Sequence, residues 1–460
     1  MKPDILLNTA LAKRLFYECA AGQPIIDFHS HLSVVKLAAD RLFETLTELW
    51  ITYDPYKHRA MRITGVPEAL ITGSAASPRE RFDAWAATVP KTVGNPLWHW
   101  SALELERAFG IREPLSPQSA DRIWDEANAK LQTQAFSARN LLSRFNVVCV
   151  CTSDGLLDDL GSHRRLAASG YPVRVLPSLR GDEIVSLERS WLERLGDMTG
   201  LTIHSFEAFC EAVKLRLDAF DALGCRLADH ALDAFKYVPV KETAVANLFA
   251  RRLLSKTVPE SEALKLRSAI LHFLGCEYAR RGWVMQLHLG AQRRTSSRLR
   301  LLVGPAGGYA APGSACQVDS LCRFLDDIEF GGLLPRTILY TLNPADNAVL
   351  ATLTGSFTQD GVAGKVQFGP AWWYNDHALG IRQHLETLAN YGLLSTFIGM
   401  TTDSRSLLSM ARHEYFRRVL CDTLGEWAGR GVVPDDFDVL EPLVRAVTCG
   451  NAQEMVLGKR

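Results

Sequence analysis

The chain has 460 residues, 47% hydrophobic and 22% charged, with Lys plus Arg and Asp plus Glu both at 51. This balance excludes a disordered chain and a globally basic binder of nucleic acid or anionic membrane. The length suits two or three average domains or one large barrel with insertions.

No apolar run is long enough to span a bilayer, and an amphipathic helix rather than a signal core follows Met1-Lys2-Pro3-Asp4, so a cytoplasmic protein is expected. The 10 cysteines include no CxxC pair and read as reduced core thiols. Residues 24–32 predict a first strand, Pro-Ile-Ile-Asp-Phe-His-Ser-His-Leu. Alternation along an extended backbone puts His29 and His31 on one side, at the carboxyl end where parallel sheets hold ligands. Alone, such a pair is more often ordinary surface polarity. Helix-like stretches follow at 37–49, 80–88, 100–109 and 117–131, broken by Pro- and Gly-containing turns. Their Trp and Leu content marks an insertion rather than a linker.

Further strands are expected at 146–152, 173–177, 224–230, 282–288, 336–342, 365–369 and 397–403. Helices are expected between most of them, at 205–223, 244–280 and 412–429 among others. Eight alternations predict an α/β chain folded as a (β/α)8 TIM barrel with a large helical insertion after strand 1. The division expected is 1–33 for the N-terminal helix and first strand, 34–140 for a lid over the catalytic face, and 141–460 for the rest of the barrel. Gly304-Pro305-Ala306-Gly307-Gly308 lacks a Walker lysine and follows no strand, so it reads as a loop.

The strand ends carry His29, His31, Asp154, Arg180, Asp229, His230, His288, Asp403 and Arg405. In a closed barrel the eighth strand adjoins the first, which brings Asp403 beside the two histidines. Two imidazoles, a carboxylate and an open position suit one divalent ion, with zinc expected. The competing role for Asp403 is a helix N-cap. His288 is a further ligand, a substrate donor or a satisfied core histidine.

Several blocks resemble those of the uronate (glucuronate) isomerase family of the amidohydrolase superfamily. They are His29-Ser30-His31, residues 91–100 (KTVGNPLWHW), residues 286–293 (QLHLGAQR), Ala371-Trp372-Trp373-Tyr374-Asn375-Asp376 and Thr402-Asp403-Ser404-Arg405-Ser406. The resemblance implies a soluble isomerase of carbohydrate metabolism. It would convert D-glucuronate to D-fructuronate and D-galacturonate to D-tagaturonate through a metal-assisted cis-enediol. It also implies metal ligation by His29, His31 and Asp403, and assistance by Asp403 in opening the sugar ring. Tyr56 would take the C2 proton and Arg405 would stabilise the enediol. Arg180, His288, Arg293, Trp372 and Trp373 would hold the hexuronate. A homo-oligomer is expected.

These residue types suit the chemistry. Removing a proton next to a carbonyl develops negative charge on oxygen, which a guanidinium or metal ion stabilises. A tyrosine with its ordinary pKa near 10 needs a cation nearby to serve as base, and the metal or Arg405 is the expected one. Arginines select a carboxylate-bearing sugar. The chain departs from the family in two loops. Pro55 stands where the family has His before the tyrosine, and His58, in the place of a family Trp, is a candidate replacement. In the loop ending Tyr309-Ala310, Ala306 and Ala310 replace two family carboxylates. The alternatives are a diverged metal-dependent hydrolase or isomerase acting on another acidic sugar, and a sugar-binding homologue without catalysis.

Overall fold

The computed structural model describes residues 2–254 and 258–458. The first seven expected strands form, at β1 (Ile25–Asp27), β2 (Val147–Cys151, prolonged by Asp154–Gly155), β3 (Arg174–Leu176, prolonged by Leu179–Arg180), β4 (Leu227–Leu232), β5 (Val284–Leu289), β6 (Thr337–Thr341) and β7 (Val366–Phe368). They pair in chain order and all run parallel. β5, β6 and β7 are buried along their whole length. Strands covered on both faces need continuous apolar sequence, which is why these segments stand out in it.

The eighth segment, 397–403, does not form the expected regular strand. Gly399 and Asp403 both have positive φ, 91° and 49°, which interrupts a ladder. The segment is instead bonded to its neighbours piecewise. Gln367 on β7 donates to the Thr396 carbonyl and accepts from the Ile398 amide. On the other side, the Asp403 amide donates to the His29 carbonyl at 3.0 Å and the His31 amide to the Ser404 carbonyl at 2.9 Å. The barrel-like ring is therefore completed by side chains and loop backbone rather than by a ladder.

Helices α1 (Pro55–Ile63), α2 (Pro96–Phe109) and α3 (Ala411–Gly429) meet through Tyr56, Trp100 and Arg412. Asp54 caps α1, accepting from the amides of Tyr56 and Lys57, and Pro55 occupies the first helical position, where its missing N–H costs nothing. Buried Lys57 pairs with Asp54 at 2.5 Å and with Glu104 of α2 at 3.3 Å, tying the two helices together. The expected helix 37–49 is two helices, Val34–Ala39 and Leu46–Trp50, parted at Asp40, whose left-handed conformation ends the first. Likewise 244–280 holds Glu242–Leu254 and Glu260–Arg280; residues 255–257 lie outside the described residues. The apolar core runs without a break from the barrel (Ile26, Leu287) into the helices of 34–140 (Trp85, Leu105). Among the described residues, no helix is long and apolar enough to cross a membrane.

Candidate active site

The ladder of β1 ends at Asp27, so His29 and His31 project from the irregular chain just beyond the strand rather than from within it. Asp27 fixes what lies opposite. Its Oδ1 accepts from Thr401 Oγ1 and from the Thr402 amide, both at 2.7 Å, and its Oδ2 accepts from Thr402 Oγ1 at 2.6 Å. Burial works against this carboxylate, yet the His413 imidazole 3.6 Å away and the bonds from Thr402 and Thr401 hold its pKa below the ordinary value.

With the eighth segment fixed in this way, Asp403 Oδ1 lies 3.4 Å from His29 Nε2 and 3.0 Å from His31 Nε2. The Trp372 indole N–H donates to Asp403 Oδ2 at 2.8 Å. Although burial opposes its charge, contact with the two imidazoles keeps the Asp403 pKa well below the usual carboxylate range. One ligand atom from each of His29, His31 and Asp403 lies within 4.8 Å of the others. The donor set and its convergence therefore fit a small divalent ion with an open coordination position.

Behind this group, His29 Nδ1, Asp229 Oδ1 and His288 Nε2 are buried without a hydrogen-bond partner among the described residues. His29, Asp229 and His288 lie close enough to share one ion, so these unpaired atoms leave hydrogen-bonding capacity for a bound group to meet. His288 stacks on Tyr340 at 4.4 Å and lies 4.7 Å from both His29 and Trp372. Burial pushes its pKa well below the ordinary value, so it is a neutral imidazole. Arg180 is held at the edge by Asp182 at 2.7 Å and Asp229 at 3.3 Å. Arg293 pairs with Asp233 at 2.8 Å while its guanidinium lies 5.1 Å from the Trp373 ring and 5.9 Å from that of Trp372.

The fold thus gathers His29, His31, Asp403, His288 and Trp372 into one contact group, with Arg180 reached through Asp229 and Arg293 over the tryptophans. Arg405 is exposed and lines a cavity of about 280 Å³ with His31, Lys36, Glu48 and Tyr53. Tyr56 lines another, of about 410 Å³, with Trp100, Trp373 and Asp376. Its ring meets Trp100 at 5.5 Å and Tyr374 at 6.2 Å. A cation that the expectation of the metal or Arg405 did not name stands against its ring: Arg412, whose guanidinium lies 5.1 Å from the ring centre. His58 does not replace the family histidine, because its Nε2 is committed to the Ile51 carbonyl at 2.9 Å on the far side of α1.

The two departing loops touch each other. Arg59 donates to the carbonyls of Gly308 and Ala310, and Arg62 to that of Gly307. Gly308 has φ +80° and sits so close to α1 that a Cβ there would run into the Pro55 carbonyl oxygen. Sequence reasoning missed Asp27, Asp376 and Arg412. A lone carboxylate inside the apolar run Ile25-Ile26-Asp27-Phe28 was the available signal for Asp27; a buried arginine within a helix gives none.

A family model described as glucuronate isomerase matches residues 1–456. A uronate isomerase of Salmonella arizonae is 46% identical over 460 residues, covering 98% of both chains. The crystal structure of uronate isomerase from Thermotoga maritima superposes with a TM-score of 0.92 at 30% identity over 99% of each chain. That of glucuronate isomerase from Caulobacter crescentus gives 0.92 at 26% identity, over 100% of this chain and 98% of that one.

Proposed function

The chain belongs to the glucuronate isomerase family, and we propose that it interconverts the aldose and ketose forms of hexuronates at the site built on His29, His31 and Asp403. The enzyme is a uronate isomerase. The reactions proposed are D-glucuronate to D-fructuronate and D-galacturonate to D-tagaturonate.

One divalent ion, zinc in this proposal, would be held by His29, His31 and Asp403, and when bound it supplies Lewis-acid polarisation of a sugar oxygen. Asp403, ionised and oriented by Trp372, accepts the proton of the anomeric hydroxyl and passes it to the ring oxygen as the C1–oxygen bond breaks and the ring opens to the aldehyde. Tyr56, as phenolate, takes the C2 proton. The electron pair moves into a C1–C2 double bond, and Arg405 balances the charge that develops on oxygen. Return of that proton from Tyr56 to C1, with the O2 hydroxyl proton passing to O1 as the carbonyl forms at C2, completes the aldose-to-ketose change. Arg180 and Arg293 hold the carboxylate and hydroxyls, His288 lends its neutral imidazole, and Trp372 and Trp373 flank the sugar. Residues 34–140 serve as the lid that excludes water. A cytoplasmic homo-oligomer completes the proposal.

The observation that carries this reading is the convergence of both histidines on Asp403 beside three unpaired buried polar atoms. The test is incubation of metal-replete protein with glucuronate and with galacturonate in deuterated water. Ketose should form with deuterium at carbon. No ketose from either sugar at high enzyme concentration overturns the proposal.

A further inference from the structure

Arg412 opens the first turn of α3 inside the protein, fully buried together with its partner Asp376. Its Nε donates to Asp376 Oδ2 at 2.8 Å and its Nη2 donates to the same oxygen. The other face of the guanidinium lies over two rings, 4.4 Å from the centre of Trp100 and 5.1 Å from that of Tyr56. Asp376 Oδ1 accepts no bond among the described residues.

Stability is a weak reason for such a pair. Removing a guanidinium and a carboxylate from water costs several kcal/mol per ion, and well-packed apolar side chains of similar volume often do as well or better. This pair also leaves one carboxylate oxygen unpaired. What it accomplishes is placement. Asp376 ends the loop that carries Trp372 and Trp373, and the clamp fixes a permanent positive charge against the Tyr56 ring. An electron-rich ring attracts a cation over its face, and a ring that becomes phenolate attracts it far more strongly.

Tyr56 needs that help. Burial opposes its ionisation above all, and the carboxylates of Asp403 and Asp376 and the Tyr374 hydroxyl act in the same direction; Arg412 alone among the leading influences favours the phenolate. Lys57, the next residue on α1, is neutralised by Asp54 and Glu104. Arg405 is placed with His31, at the proposed metal ligands.

We infer that Arg412, clamped by Asp376, is a positioning residue that supports negative charge on the Tyr56 oxygen as Tyr56 takes the C2 proton. This rests on Tyr56 being the base. The experiment is a double-mutant cycle on the metal-loaded enzyme. It measures kcat, KM and C2 exchange in deuterated water for Arg412→Met, Arg412→Lys, Tyr56→Phe and the Arg412→Met/Tyr56→Phe double variant. Arg412→Met should lower kcat by about 10²-fold with KM within about threefold, and Arg412→Lys should restore at least about tenfold of that loss. In the Tyr56→Phe background the same Arg412→Met change should alter the residual rate by less than about threefold.

Equal losses in both backgrounds, or no rescue by Lys, would overturn the inference and leave Arg412 as a support of the fold. Unchanged C2 exchange in Tyr56→Phe would overturn the base assignment, and the role of Arg412 with it. Should Arg412→Met fail to fold, Arg412→Gln removes the charge while keeping a donor for Asp376. It should then show the same kcat loss, again absent in the Tyr56→Phe background; an additive loss overturns the inference.

Discussion

Thr402 grips Asp27 with both its backbone amide, at 2.7 Å, and its hydroxyl, at 2.6 Å, so the last segment of the barrel is fastened to the first strand next to the proposed metal ligands. Asp403 follows Thr402 directly and inherits its position from this bond pair. Asp27→Ala would strand the buried amide and hydroxyl donors of Thr402, a cost of about 1–3 kcal/mol each. The expected result is a lower melting temperature and a 10–100-fold weaker hold on the metal, as for other groups that orient a ligand. Chelator competition measures the second; unchanged affinity would show that Asp27 supports only the fold.

Removing the Asp403 carboxylate should separate metal binding from folding. Asp403→Asn is expected to lose bound metal and turnover together, with its secondary structure intact by circular dichroism. Metal analysis by mass spectrometry checks the first point. A full equivalent of retained metal with normal turnover would take Asp403 out of the ligand set.

Tyr56→Phe should suppress C2 exchange by about 10²–10⁴-fold, the range typical of a lost general base. Binding should suffer little, since the ring still packs on Trp100 and Tyr374. Exchange at the wild-type rate assigns the base elsewhere.

The contact between Pro55 and Gly308 gives the two departing loops a shared test. Gly308→Ala would force a side chain at φ +80° against the Pro55 carbonyl, costing at least about 1 kcal/mol in stability. Because Tyr56 is the next residue after Pro55, kcat/KM on the uronate should fall as well. A lowered melting temperature with normal kcat/KM would limit the contact to packing. Pro55→His in turn should raise activity on glucuronate if the family histidine is what the reaction lacks; no gain shows that it is not limiting.

Asp154 offers a pH experiment away from the metal. Burial raises its pKa from the ordinary 3.8 to about 7, against the opposing bond from Thr152. Between about pH 4 and pH 7 the folded protein therefore holds a proton that the unfolded chain has released, and stability falls as pH rises through that window. The full penalty, on the order of 4 kcal/mol, is present above pH 7. Asp154→Asn, whose amide oxygen can still accept from Thr152, should gain on wild type between pH 5 and pH 8 in urea midpoint. A pH-independent difference would show that Asp154 stays ionised.

Much of the architecture is legible in the chain. Strands covered on both faces must be apolar throughout, so the runs at β2, β5 and β6 declare themselves, and their alternation with helices predicts the barrel. The His29-Ser30-His31 spacing and the Thr402-Asp403-Ser404-Arg405-Ser406 block carry the proposed metal ligands, because ligand chemistry requires particular side chains rather than a particular environment. The eighth strand misleads for a local reason. Its residues 397–400 are as apolar as a strand, but the positive φ of Gly399 and Asp403 is a backbone choice that composition does not express.

What the sequence by itself determined is the set of groups able to hold a metal and the strands that carry most of the rest. Tertiary structure alone decided the neighbours. It placed Arg412 beside Tyr56, turned His58 away to the Ile51 carbonyl, and set Gly308 against Pro55. The physical reason is that ligand identity is a property of one residue, whereas the charge a residue feels depends on groups hundreds of positions away, brought close only when the core closes.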